Sequence, residues 1–217
     1  MAAECGAVPL EKEGVRGFLH TPKDSAARGM VLTHGAGSDC TSPLLVTIAN
    51  AFCSAGLMVL RCDLAFRQQR RCGPPPPGKS AADRASLRFA VAILRDIVRA
   101  DVFLAGHSYG GRQASMLAAE EPGLVAGLLL LSYPLHPPKK PEQLRTQHFT
   151  RLRTAAVFVH GVADPFGSIA EMKQAIAAIP ASTHLVTIEG VGHNLGGERF
   201  HSTAAIAALL SGETLRS

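Results

Sequence analysis

The chain has 217 residues and a formal net charge of +5, with 47% hydrophobic residues, 18% charged residues and no tryptophan. This much apolar surface excludes a chain that is disordered throughout, and the length predicts one domain over residues 1–217. No uncharged stretch is long enough for a membrane span, and the N-terminus lacks the apolar segment of a signal peptide. We therefore expect a cytoplasmic protein with no membrane partner.

The cysteines support the same expectation. Their odd number, irregular spacing and lack of a C-x-x-C pair argue against a disulfide framework or a zinc site. We expect free thiols that pack as small apolar side chains, and neither a metal nor another cofactor. The cysteines are Cys5, Cys40, Cys53, Cys62 and Cys72.

The predicted strands are short apolar runs. Residues 7–22 predict one or two N-terminal strands, and six solid runs follow along the chain. Short runs without alternation indicate strands buried on both faces, as in a parallel sheet. The runs are Met30–Leu32, Leu57–Leu60, Val102–Ala105, Leu128–Leu131, Ala156–Val159 and Leu185–Ile188.

Helical periodicity lies between the strands. One helix is predicted to start at Ser80 with Asp83 as part of its cap, and to bury Leu87, Val91 and neighbours. Ser168 and Glu171 have the spacing of a capping box at the start of another helix. Strands that alternate with helices predict an α/β fold, a mostly parallel doubly wound sheet with helices on both faces.

The strongest motif is Gly106-His107-Ser108-Tyr109-Gly110, between a predicted strand and a helical segment. The spacing G-x-S-x-G is typical of a nucleophile elbow, a sharp turn at which glycines leave room for a strained serine. Ser108 is therefore the candidate nucleophile.

A serine nucleophile needs a base, and the base needs an acid to orient it. Of the nine histidines, we select His193, which lies in a glycine-rich loop after the last predicted strand. Asp164 follows the preceding strand and is the candidate acid. Asp63 also lies near a strand end and is the alternative.

Backbone N–H groups are needed to stabilise the negative charge of an acyl intermediate. We expect one from Tyr109, the residue after the nucleophile. The other is expected from the loop Thr33-His34-Gly35-Ala36-Gly37, with Ala36 preferred and Gly35 second.

The string Gly73-Pro74-Pro75-Pro76-Pro77-Gly78-Lys79-Ser80 matches the letters of a phosphate-binding loop. Such a loop binds phosphate through backbone N–H groups, and proline has none. We therefore do not predict a nucleotide site.

Basic residues are concentrated in two segments that each follow a strand. Residues 64–80 and 134–153 each carry a net charge of +4, and the remainder carries −3. We expect both at the edge of the sheet that carries Ser108, where they would favour an anionic substrate. The candidate contacts are Arg67, Arg70 and Arg71, and a solvated rim is the alternative. Nucleic acid is not an expected partner, because no nucleic-acid-binding module is present.

Ser108, Asp164 and His193 follow the order of the α/β-hydrolase superfamily, which the chain resembles from about Met30 to Leu210. It looks like the small dienelactone-hydrolase-like branch. Thr33–Gly37 and the segment Ser132-Tyr133-Pro134-Leu135-His136 are similar to a narrower group of predicted hydrolases. That group includes a testis-expressed vertebrate protein and a subunit of the nonspecific-lethal chromatin complex.

The resemblance implies a fold without a lid domain and a serine hydrolase that cleaves ester, thioester or related acyl bonds of a small molecule. It places Ser108, Asp164 and His193 in the triad, and Tyr109 and Ala36 in the oxyanion hole. Dienelactone hydrolases carry a cysteine nucleophile, so their substrate is not implied. The competing function is a non-catalytic scaffold with the same fold. The sequence does not indicate the oligomeric state.

Overall fold

The computed structural model describes residues 5–24, 26, 28–78, 80–197, 200 and 203–210. In these ranges eight strands form one sheet: β1 Gly6–Lys12, β2 Val15–Thr21, β3 Arg28–Thr33, β4 Leu57–Cys62, β5 Val102–His107, β6 Gly127–Leu131, β7 Ala156–Gly161 and β8 Thr183–Ile188. Their order across the sheet is β1-β2-β4-β3-β5-β6-β7-β8. From β4 onward all neighbours are parallel.

The helices that the structure describes are α1 Pro43–Ser54, α2 Ala65–Gln69, α3 Ser80–Val98, α4 Tyr109–Glu120, α5 Ile169–Ile176 and α6 Thr203–Leu210. Side chains from α1 and α6 share one buried cluster, and those from α3, α4 and α5 share the other. The helices therefore cover both faces, and the predicted doubly wound α/β fold is confirmed. None of the helices in the described ranges is long and apolar enough to cross a bilayer.

The sheet is buried on both faces because successive side chains in a strand point in opposite directions. In β3, Val31 packs into the cluster with α3, whereas Met30 and Leu32 pack into the cluster with α1. All three are fully buried. This two-sided burial explains why the strand runs in the sequence are solid rather than alternating.

Residues 7–22 form two strands joined by a tight hairpin. Glu13 and Gly14 make the turn, with φ values of 51° and 76°. Two consecutive positive φ angles match the twist of the flanking strands. β2 then pairs antiparallel with β4, which attaches the hairpin to the edge of the parallel sheet.

Two capping expectations have different outcomes. Ser168 and Glu171 form the predicted capping box at the start of α5. Asp83, by contrast, is fully buried and does not cap α3. Its carboxylate accepts hydrogen bonds from the N–H of Phe66 and the hydroxyl of Tyr109, so the prediction of a cap was wrong.

The cysteine expectation is also wrong in part. A disulfide joins Cys5, just before β1, to Cys53 in the last turn of α1, 48 residues away. Cys40 and Cys62 are buried free thiols, and Cys72 is an exposed one. Spacing could not indicate this bond, because the sheet brings the two cysteines together.

The segment between β6 and β7 covers residues 132–155 and contains one short 3₁₀ turn, Phe149–Arg151. Its apolar side chains are part of the core, with Tyr133, Leu135 and Phe149 fully buried. The segment therefore lies on the body of the fold, and no lid domain is inserted there.

Candidate active site

Ser108 lies at the turn from β5 into α4, with φ 51° and ψ −115°. The turn depends on its glycines. A Cβ on Gly106 would lie 2.5 Å from the Gly110 carbonyl carbon, and one on Gly110 would lie 2.5 Å from the His34 carbonyl oxygen. The Ser108 N–H donates to the Leu131 carbonyl at 2.8 Å, which fixes the turn to β6. The strand, turn and helix have the arrangement of a nucleophile elbow.

The structure brings together the three residues selected for the triad. His193 Nε2 lies 2.8 Å from Ser108 Oγ, and His193 Nδ1 lies 2.8 Å from Asp164 Oδ2. The three come from the carboxyl ends of β5, β7 and β8, which meet at one edge of the sheet. This is the edge where α/β folds place reactive groups.

Asp164 is a buried carboxylate held by two donors. Oδ1 accepts from the Phe166 N–H at 2.9 Å, while Oδ2 faces His193. Burial alone would raise the pKa of Asp164, but these hydrogen bonds outweigh it and hold the pKa below its usual value. An ionised Asp164 accepts a hydrogen bond from the Nδ1–H of His193. His193 Nε2 then presents its lone pair to the Ser108 hydroxyl.

The His193 loop is held by neighbours that the sequence did not identify as positioning groups. The Phe166 ring lies 4.2 Å from the imidazole, centroid to centroid. His107 Nε2–H donates to the His193 carbonyl at 2.8 Å. Burial lowers the pKa of His107 to about 4, so this histidine is a neutral support beside the nucleophile.

The candidate oxyanion hole lies between the loop after β3 and the start of α4. A Cβ on Gly35 would lie 3.4 Å from the Ser108 Cβ, so this loop passes beside the nucleophile. Tyr109 is the first residue of α4, where a backbone N–H has no acceptor within the helix. Both expected sources of N–H donors therefore flank Ser108.

The orientation of the Gly35–Ala36 peptide favours Ala36 as the second donor. The Leu64 N–H donates to His34 Nε2 at 3.1 Å, which leaves the proton on Nδ1. His34 Nδ1–H then donates to the Gly35 carbonyl at 2.8 Å. Because C=O and N–H point in opposite directions across a trans peptide, the Ala36 N–H points away from His34.

Arg67 supports the loop after β3 through hydrogen bonds to its carbonyl groups. Its guanidinium donates to the carbonyls of Ser38 and Ala36, each at 2.8 Å, and to that of Gly73 at 3.0 Å. The residue is only 3% exposed. The expectation of Arg67 on a substrate-facing rim is therefore corrected, because the turn after β4 directs this side chain inward.

Arg70 and Arg71 are exposed, as expected of a rim. Arg71 contributes to a surface pocket of about 290 Å³, which Arg16, Asp39 and Asp63 also line. The acidic side chains in this pocket offset much of its positive charge. Arg71 is therefore not an obvious anion-binding group.

We predict that Arg67→Lys lowers kcat about tenfold with little change in KM, because one ammonium group cannot hold three carbonyls in place. The loss should be smaller than the roughly hundredfold loss from removing an oxyanion donor. Initial rates of ester hydrolysis over a range of substrate concentrations give both kcat and KM. Arg70→Lys, at an exposed position, is the matched control. A rise in KM at unchanged kcat would contradict a role in positioning the oxyanion loop.

The side chain of Tyr109 is held in place by hydrogen bonding and ring packing. Its hydroxyl donates to Asp83 at 2.7 Å, and the Phe66 N–H donates to the other oxygen of the same carboxylate at 3.0 Å. The Phe66 ring packs edge-on against Tyr109. The residues after β4 therefore contact both sides of the candidate oxyanion hole, which no sequence motif indicated.

Asp63, the alternative acid, has other partners. Oδ2 accepts from Arg16 at 2.8 Å, and Oδ1 accepts from the Cys40 N–H at 2.8 Å. The proline-rich string at 73–80 lies between α2 and α3, and Lys79 lies outside the described residues. Within the described ranges, no group of three or more His, Cys, Asp or Glu side chains could hold a metal ion.

A family model described as "Alpha/beta hydrolase domain" matches residues 26–209. Several solved structures share the fold. Dienelactone hydrolase from Anabaena variabilis is 23% identical over all of both chains, with a TM-score of 0.71. An alpha-beta serine hydrolase homologue from Coxiella burnetii is 18% identical over 94% of this chain and 97% of its own, with a TM-score of 0.70.

Est1E from Butyrivibrio proteoclasticus, in a structure with ferulic acid bound, is 17% identical over 94% of this chain and 97% of its own. Its TM-score is 0.73. At these identities the structural neighbours show a common fold. The family model covers most of the chain, and the chain therefore belongs to the alpha/beta hydrolase domain family.

Proposed function

We propose that the protein is a serine hydrolase that cleaves an ester, thioester or related acyl bond. The observation that carries this proposal is the continuous hydrogen-bonded chain from Ser108 through His193 to Asp164, with both contacts at 2.8 Å. A hydroxyl next to a correctly oriented imidazole is the arrangement that activates a serine.

In the proposed reaction, His193 Nε2 takes the proton of Ser108 as Oγ attacks the acyl carbonyl. The oxyanion is stabilised by the N–H groups of Tyr109 and Ala36. His193 then returns the proton to the leaving group, and an acyl-enzyme forms on Ser108. Water, deprotonated by His193, attacks the acyl carbonyl, and His193 returns the proton to Ser108 Oγ as the bond to the acyl carbon breaks and the acid leaves. Asp164 stabilises the imidazolium at both stages.

The buried Ser115 shows by contrast why Ser108 is the proposed nucleophile. Ser115 Oγ lies 2.8 Å from His148 Nε2, but it also contacts the Arg112 carbonyl at 3.0 Å. Since that carbonyl can only accept, the Ser115 hydroxyl donates to it and accepts a hydrogen bond from the Nε2–H of His148. No carboxylate orients His148 among the described residues. Ser115 therefore lacks a base.

The competing proposal is an interaction scaffold, which the resemblance to the narrower group with a chromatin-complex subunit supports. A scaffold has no need for a base in contact with a serine. Membership of that narrower group and the cytoplasmic location remain predictions. The cytoplasmic location needs a direct test, because disulfides such as Cys5–Cys53 are rare in cytosolic proteins.

We expect a fluorophosphonate probe to label the protein once, at Ser108, because the probe reacts with serines that have an activated hydroxyl. Mass spectrometry of tryptic peptides measures the site. Ser115 is the internal control, since cleavage after Arg112 separates it from Ser108. A folded protein that stays unlabelled, while a known esterase in the same sample reacts, would support the scaffold instead.

A further inference from the structure

Arg112 is placed close to the nucleophile by α4. It lies four residues after Ser108, about 6 Å along the helix axis. Helical side chains tilt toward the N-terminus, so a long side chain at this position extends over the turn that begins at Ser108. Arg112 Nε is buried without a hydrogen-bond partner, while the residue as a whole keeps part of its surface exposed.

Arg145 approaches the same place from the segment after β6. That segment starts beside the elbow, because the Ser108 N–H donates to the Leu131 carbonyl. Tyr133 then donates its hydroxyl to the Arg145 carbonyl at 2.6 Å, and the Arg145 N–H donates to the Leu135 carbonyl at 2.8 Å. These two bonds fix the backbone of Arg145, and its side chain is partly exposed.

A further hydrogen bond connects this segment to α4. His148 Nε2 is hydrogen-bonded to Ser115, which in turn donates to the Arg112 carbonyl. Burial, followed by the charge of Arg112, lowers the pKa of His148 to about 4, so His148 adds no positive charge at neutral pH. The partly exposed guanidinium groups of Arg112 and Arg145 therefore remain as positive charges between the helix and this segment.

Within the part of the chain that the structure describes, no carboxylate balances the charge of either arginine. Among the described residues, no carboxylate lies within ion-pair distance of either side chain, and neither guanidinium donates a hydrogen bond. Two partly exposed arginines of the neighbouring helix α3 are paired, Arg84 with Glu120 and Arg88 with Glu121. Burial lowers the pKa of Arg145, and the repulsive charge of Arg112 adds to this.

We propose that Arg112 and Arg145 form a subsite for a carboxylate carried by the acyl substrate, about one helical turn from Ser108. Guanidinium groups bind carboxylates through paired hydrogen bonds, and binding here would satisfy donors that have no partner among the described residues. The site differs from the rim at Arg67, Arg70 and Arg71 that the charge pattern suggested. The inference rests on the proposed hydrolase function and specifies its substrate class.

The test compares 4-nitrophenyl hemiesters of succinate, glutarate and adipate with the corresponding methyl diesters, which lack the charge. We expect the intact protein to prefer the charged ester of at least one chain length by about tenfold to a hundredfold in kcat/KM. The preference should shrink as salt is added, because exposed parts of the interaction are screened.

Arg112→Gln and Arg145→Gln should each reduce the ratio of charged to neutral kcat/KM toward one, and Arg112→Lys should restore part of it. Arg153→Gln, an exposed arginine further along the same segment, should leave the ratio unchanged. Circular dichroism and thermal melting confirm that each variant folds. If Arg112→Gln does not fold, Arg145→Gln on the surface segment provides the measurement.

The subsite is overturned if the protein hydrolyses neutral and charged esters equally, or if both glutamine variants keep the preference. In either case the proposed hydrolase function stands, because the neutral esters are still cleaved at Ser108. If neither ester is cleaved and the fluorophosphonate probe does not react, the hydrolase proposal fails and the subsite fails with it.

Discussion

Ser108→Ala is expected to lower kcat for short 4-nitrophenyl esters by roughly 10³- to 10⁶-fold, to the residual activity that an oxyanion hole alone provides. The substitution removes the atom that attacks the carbonyl, but it leaves the Tyr109 N–H and the loop after β3 in place. Hydrolysis under saturating ester measures the loss. The same variant should no longer react with the fluorophosphonate probe.

The control for this variant is Ser168→Ala, which removes a serine hydroxyl from the start of another helix. Ser168 caps α5 and exchanges hydrogen bonds with Glu171. Its loss should cost about 1 kcal/mol of unfolding free energy and leave kcat unchanged. Unchanged turnover in a folded Ser108→Ala variant would show that the nucleophile has been misassigned.

The elbow and the strands could be predicted because each depends on a short stretch of sequence. Gly106 is required by contacts within the turn itself, and Gly110 by the approach of the loop after β3, so glycine is the residue that both positions of the motif need. The solid apolar runs matched the buried strands because a strand that is buried on both faces needs apolar residues at consecutive positions. Ser108, Asp164 and His193 could then be selected because each follows the end of a strand, and these ends lie at one edge of the sheet.

The supporting contacts could not be predicted, because they join residues that are distant in sequence. Arg67 reaches Ala36 only after β4 and β3 pair, and Asp83 reaches Tyr109 only after α3 packs beside α4. The position of Asp83 near the start of α3 also matched a helix cap. That local interpretation was preferred over a contact with Tyr109, which is distant in sequence. The same limit applies to Cys5 and Cys53, whose pairing depends on the fold.

The basic segments illustrate how charge counting and geometry differ. Net charge located two positive regions, but it could not separate an arginine bound to carbonyls from one without a partner. Arg67 belongs to the first kind, and Arg145, whose guanidinium has no hydrogen-bond partner among the described residues, belongs to the second. Only the side-chain contacts distinguish a structural cation from a candidate ligand-binding one.

Asp164→Asn is expected to lower kcat roughly 10⁴-fold, because it reverses the tautomer of His193. The Phe166 N–H donates to Oδ1 of Asp164, so an asparagine would place its carbonyl oxygen there and its amide NH₂ toward His193 Nδ1. His193 would then accept at Nδ1 and carry its proton on Nε2. A protonated Nε2 cannot take the proton of Ser108.

His193→Ala should lose about as much activity as Ser108→Ala, since the members of a triad act as a unit. Asp63→Asn is the matched control, because Asp63 is also a buried aspartate after a strand but contacts Arg16 and the Cys40 N–H instead of His193. We expect Asp63→Asn to lower stability while keeping kcat. If Asp164→Asn stays active and Asp63→Asn does not, Asp63 is the working acid, and the contact between Asp164 and His193 is only structural.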